Sequence, residues 1–266
     1  MSIEHVPQEQ LARIVTAIAI GLLGILEIAT PGCFGSIRFY FRGARAALGP
    51  EQRARLQRVV DARVDAEGTD VYTRYAGVFT IAMAGLALLP AVPMDLPYTA
   101  SCAALAIAVF LAYLHFRRGT ERRVAPLVRR NAWASLPPVV LACAGICIVA
   151  ALSLTAYPQY RIPALAAALS GIVLCAIAWR VAVAPAMLFG DDAQLEYLVD
   201  EHVRFCRATG LIALACAPPT NLVLFAWAEL HVTPPLVIAA TWAVLAAFLV
   251  VLVVSLNPVR KRIMFA

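Results

Sequence analysis

Six residues in this 266-residue sequence sit where a polar group or a missing donor is costly: Glu27, Arg180, Pro218, Pro219, Thr220 and Asn221 all fall inside long apolar runs. A charged side chain at the centre of a membrane-spanning helix costs about 3 kcal/mol on insertion scales. Glu27 therefore needs a cation, a proton or a wetted cavity. Arg180 is the one basic residue well inside another run. At about 1.5 Å per residue, both groups lie roughly 20–25 Å from the same boundary. Their depths match, so an Arg–carboxylate pair between the first and fifth helices is sterically conceivable and would neutralise both charges. The alternative is that Arg180 snorkels to the headgroups while Glu27 is protonated or near interfacial water.

Pro218 and Pro219 carry different chemistry. Neither has an N–H, so the carbonyls of Leu214 and Ala215 lose their helical donors about eleven residues into an apolar run. The pair predicts a broken or kinked helix near the middle of the bilayer. Thr220 and Asn221 follow at once and add hydroxyl and amide groups where lipid offers none. Discontinuous helices of this kind form ion and substrate sites in many transporters, although kinks also serve packing alone. A path to this site calls for an aqueous cavity reaching Asn221, and a sealed midplane removes the transport reading. Pro31 removes the donor for the carbonyl of Glu27, but its place near a boundary reads as the end of the first helix.

The remaining candidates are weaker. Asp191, Asp192, Glu196, Asp200, Glu201 and His202 collect acids on one polar segment. Like charges at i,i+4 repel, which favours arginines of neighbouring loops as partners over a divalent cation. Cys143 and Cys147 lie one helical turn apart and offer two sulfurs to a soft metal. No histidine or further cysteine lies nearby in sequence, so the seven cysteines read as small buried hydrophobes, with no disulfide framework. The four histidines form no pair at spanning-helix spacing to hold haem. Metalloprotease, hydrolase, P-loop and Asp-rich isoprenoid motifs are missing, so no catalytic residue, metal site or cofactor is assigned.

The elements that must position these residues follow from composition. Hydrophobic residues make up 62% and charged ones 14%, with a mean hydropathy of +0.80. That balance excludes an ordinary soluble domain. Runs of about 20 apolar residues predict an all-α, polytopic helical bundle with seven spans in one domain covering 1–266. A solitary helix over 11–30 precedes three hairpins: 75–89 with 98–116, 133–156 with 163–187, and 208–230 with 234–256. The segment 34–48 reads as interfacial, and loop helices are expected over 50–67 and 191–207.

Twenty-one of the 22 basic residues are arginine, and Lys261 is the only lysine. An intramembrane Schiff-base lysine is excluded, and a net charge of +6 does not point to nucleic acid here. Nineteen basic residues fall in the loops after helices one, three and five and in the tail, against Arg13 and Arg161 on the other side. That bias predicts a cell (cytoplasmic) membrane protein with its N-terminus outside and its C-terminus cytoplasmic. Tyr75, Tyr113, Trp133 and Trp179 at one level, and Tyr98, Tyr157, Tyr160 and Trp227 at the other, read as two aromatic belts.

The expectation is a permease or transporter component for a small molecule or ion. Thr220 and Asn221 are its ligands and Glu27 a coupling group. A second class is a non-catalytic anchor, sensor or scaffold whose Arg-rich loops touch anionic headgroups or an acidic partner. A third is a lipid-headgroup-modifying enzyme, for which no general base stands out.

Overall fold

The computed structural model describes residues 10, 13–14, 17–18, 20–22, 24–25, 41, 48–67, 70–92, 95–119, 132–184, 192–229 and 235–256. Eight α-helices are delimited: α1 Pro50–Glu67, α2 Asp70–Ala87, α3 Asp95–Gly119, α4 Ala132–Ser135, α5 Pro138–Ser153, α6 Arg161–Val183, α7 Ala193–Glu229 and α8 Pro235–Leu256. Two 3-10 turns, Leu154–Ala156 and Pro158–Tyr160, join α5 to α6. The residues described between 10 and 25 are helical as well. Among the described residues there is no strand.

Four segments are long and apolar enough to cross a membrane: Leu96–Leu114, Pro138–Ala156, Pro158–Val183 and Ala193–Trp227. Gly77–Ala87 and Pro235–Val251 are apolar but shorter. The chain is thus an all-helical membrane protein with four helices of spanning length among the described residues.

Helix α7 forms the spine of the bundle and packs against α5, α6 and α8. Helix α3 bridges from α6 to α2. The buried faces are rich in alanine, with Ala144, Ala164, Ala167, Ala178, Ala208 and Ala215 nearly inaccessible. Small residues let helix backbones approach where no hydrophobic drive separates protein from lipid. The outward faces carry Val149, Ile162, Leu169, Trp242 and Leu249, each more than half exposed. Such a surface suits hydrocarbon and would be costly in water.

The N-terminal helical residues lie against α2. A Cβ at Gly24 would stand 2.8 Å from the carbonyl oxygen of Gly77, so glycine is what permits that approach. Arg13 is buried and donates to the carbonyls of Leu89, Val92 and Pro90, closing the α2–α3 turn. A turn within an apolar bundle leaves carbonyls without helical donors, and one guanidinium fork satisfies three of them.

Three expectations change. The polar segment 191–207 and the sixth span are not separate elements, because α7 runs unbroken from Ala193 to Glu229. The break predicted at Pro218 and Pro219 is accordingly absent, and both prolines lie inside the helix. Each proline costs one i→i−4 bond, while packing on three sides holds the flanking turns in register. The span over 133–156 is interrupted instead: α4 stops at Ser135, and α5 starts after Pro137, whose ψ of 136° is not helical.

Candidate functional site

The proline pair is buried in α7, and so is Thr220, while Asn221 is half-buried. The hydroxyl of Tyr98, near the start of α3, donates to the carbonyl of Pro218. Tyr98 was expected in an aromatic belt. It is 8% exposed and belongs to this site instead. The helices are staggered, so the first turn of α3 meets α7 well below its last turn. The phenol also contacts the thiol of Cys102, one turn along α3, and Cys102 in turn contacts the hydroxyl of Ser170 on α6. Ser170 donates to the Ala167 carbonyl at 2.9 Å, so its hydroxyl is already engaged within its own helix.

The carbonyl freed by Pro219 is that of Ala215. It faces Gly171 of α6, where a Cβ would lie only 3.1 Å from the oxygen. The absence of that carbon lets α6 ride directly on the exposed carbonyl, the close approach seen where Cα–H groups meet carbonyls at helix interfaces.

On the opposite flank Thr220 directs its hydroxyl at the sulfur of Cys147 on α5, at 3.9 Å. Cys147 and Cys216 are both fully buried, and their thiols lie within interaction range of each other across the α5–α7 interface. Cys175 of α6 and Cys143 of α5 lie within electrostatic reach of this pair. Three helices thus converge on the α7 turn from Ala215 to Thr220, bringing together two phenol or alcohol oxygens, backbone carbonyls and several sulfurs. Among the described residues, no set of three histidine, cysteine or acidic side chains is close enough to hold a metal ion.

The other predicted site residues lie elsewhere. Glu27 is outside the described residues, so the carboxylate half of the expected pair has no described position. Arg180 is exposed in the last turn of α6, beside Trp179, which packs edge-on against Trp133 with ring centroids 5.2 Å apart. Its basic charge at a helix C-terminus complements the helix dipole. A cavity of about 570 Å³ opens between α5 and α8, lined by residues such as Gly145, Val149, Ser153, Leu236 and Ala239. Asn221 is not among its lining residues.

A second polar cluster sits at the end of the bundle where α1 meets the start of α7. Asp200 is 1% exposed and receives Arg63 of α1 at 2.9 Å and Arg204 of its own helix at 2.7 Å. Arg204 also donates to the carbonyls of Ala182 and Ala184, closing the C-terminus of α6. Phe41, Leu56, Val60, Val199 and Val203 form a small core beside these charges, and the His202 ring lies 5.0 Å from that of Phe41. Nearer the surface, Arg55 pairs with Asp192. The expected pairing of connector acids with loop arginines is therefore present at two positions. Asp191 lies outside the described residues.

Comparison of the chain with family models, curated proteins and solved structures finds no match in any of the three.

Proposed function

We propose that the chain is a multi-pass membrane permease or transporter component whose path passes the proline pair of α7. In this reading it crosses the cytoplasmic membrane seven times, with its N-terminus outside and its C-terminus in the cytoplasm. The Arg-rich loops lie against anionic headgroups on the inner face, in keeping with nineteen basic residues against two. The observation that carries the reading is the turn from Ala215 to Thr220, where a spanning helix keeps its course through two consecutive prolines while presenting carbonyl and hydroxyl groups in an apolar bundle. In the conformation described, Thr220 is buried and Asn221 half-buried, so a path past them requires a second, open conformation. Transport requires α7 to give way at the prolines, its least hydrogen-bonded point. The substrate is a small molecule or ion, with Thr220 and Asn221 as ligands and Glu27 as the coupling group. In reconstituted vesicles carrying the full chain, Thr220→Ala, Asn221→Ala and Glu27→Gln should each lower a flux that the wild type supports across a panel of ions and small solutes. Identical fluxes in all four proteins would end this reading.

A second reading, a membrane scaffold or sensor acting through its loops, is favoured by the docking of α1 onto α7. That contact orders an arginine-bearing helix whose Arg53 and Arg58 stay exposed. Here Arg53→Glu with Arg58→Glu should abolish binding to vesicles of anionic lipid presented to the solubilised protein, while Asn221→Ala leaves it intact.

A further inference from the structure

The sulfurs of Cys147 and Cys216 form a site that the spacing of cysteines along the chain does not show. Cys147 belongs to α5 and Cys216 to α7, both side chains are fully buried, and the two thiols lie within interaction range across the helix interface. Thr220, one turn beyond Cys216 on α7, aims its hydroxyl at the Cys147 sulfur from 3.9 Å. We propose that Cys147 and Cys216 bind a soft monovalent d10 cation such as Cu+ between them, in two-coordinate sulfur geometry, with Thr220 steadying the Cys147 thiolate.

Coordination number and softness together choose the ion. Thiol ligands favour Cu+ over the hard cations, which take oxygen. Zinc would need four ligands in a closed site, and no group of three candidate side chains is close enough among the described residues. A d10 ion is content with two sulfurs in line. Metal–sulfur bonds of about 2.3 Å place such a pair roughly 4.6 Å apart. Charge also balances. When Cu+ enters, the Cys147 thiol gives up its proton to solvent and the Cys216 thiol keeps its own. One thiolate, one thiol and one cation are neutral together, which avoids leaving a net charge in the apolar core. The Thr220 hydroxyl then donates to an anionic sulfur, a stronger bond than it makes to a neutral one.

This sulfur site goes beyond the permease reading, whose ligands are Thr220 and Asn221, and it is tested by equilibrium binding, so it can fail or stand apart from transport. The full chain, purified in detergent under reducing, oxygen-free conditions, is titrated with Cu+ in competition with a chromogenic Cu+ chelator. One ion per chain and one proton released per ion are expected. Cys147→Ser and Cys216→Ser should each weaken binding at least 100-fold, and Thr220→Val several-fold. Cys102→Ser, whose thiol faces Tyr98 and Ser170, should leave it unchanged. Copper K-edge absorption on the wild-type complex should show two sulfur neighbours, and it needs no variant to fold. Equal affinity in the wild type and the two serine variants would overturn the proposal, as would a shell containing three sulfurs, nitrogen or oxygen, or a wild-type chain that cannot compete with the chelator. Binding as expected without any Cu+ flux in vesicles would uphold the site and exclude Cu+ as the transported ion.

Discussion

Tyr98 donates its hydroxyl to the carbonyl of Pro218, tying the first turn of α3 to the proline pair of α7. A phenol buried among helices must find a partner, and this carbonyl belongs to the stretch of α7 weakest in backbone hydrogen bonds. Tyr98→Phe keeps the ring and deletes the bond. A net loss of about 1 kcal/mol is expected, typical of a buried neutral hydrogen bond. It should appear as a lower unfolding temperature in one detergent and as faster hydrogen exchange confined to residues 214–222. An unchanged exchange pattern would show that the bond does not restrain the prolines.

Asp200 makes the contrasting case at the other end of α7. Its carboxylate lies between Arg63 and Arg204, all three nearly inaccessible. Deleting one member of a buried ion cluster leaves uncompensated charge and costs about 3–5 kcal/mol. Asp200→Ala should therefore detach α1 or unfold the junction outright. Arg55→Ala removes a pair whose arginine is largely exposed, where the effect is small. Thermal unfolding of the two variants side by side, together with protease cleavage within α1, checks this. Similar losses in both would mean that burial does not govern the junction.

The Arg55–Asp192 pair also sets a pH dependence. The hydrogen bond from the Arg55 guanidinium holds the Asp192 carboxyl below its ordinary value of 3.8, against a smaller opposing effect of burial. A carboxyl with a depressed folded value stabilises above the unfolded value and loses that contribution as pH falls through the folded one. Any deficit of Asp192→Asn relative to wild type should be present at pH 7 and shrink once the pH drops below 3.8. It should also shrink in high salt, which screens exposed charges. A deficit that grows on acidification would contradict the assignment.

Much of this architecture is legible from the residues. The all-helical character, the apolar helix Pro235–Leu256 and the pairing of connector acids with loop arginines all follow from hydropathy, a helix-start proline and the repulsion of acids at i,i+4. The continuity of α7 was hidden because two signals for a boundary coincide there: a polar stretch ending near Arg207 and a proline pair within the apolar run. Both are overridden by packing against α5, α6 and α8, which no local pattern records. Tyr98 sits near a helix end, so its type and position suggest an interface residue. Only the stagger of α3 against α7 brings it to Pro218. Cys147 finds its partner on another helix for the same reason. Cysteine spacing reports neighbours along one helix, whereas this pair is made by crossing helices.

Gly171 offers the sharpest test of how α6 and α7 meet. A Cβ there would fall 3.1 Å from the Ala215 carbonyl oxygen and 3.1 Å from Cγ1 of Ile148. The isoleucine end can swing aside, but the carbonyl belongs to the helix backbone and can move only if α6 and α7 separate. Gly171→Ala should therefore destabilise by about 1–3 kcal/mol, the usual cost of overpacking. Gly145 of α5 has open space at the same position. There an added methyl meets nothing, and removing glycine's backbone freedom favours the helix by about 0.5–1 kcal/mol. Gly145→Ala should thus be neutral or slightly stabilising. Because Gly171 faces the carbonyl that Pro219 leaves without a donor, Gly171→Ala should also speed hydrogen exchange on the α7 turn beside Ala215, and Gly145→Ala should not. If the two variants unfold at the same temperature and exchange alike, the close approach of α6 to the proline pair does not exist in the folded protein.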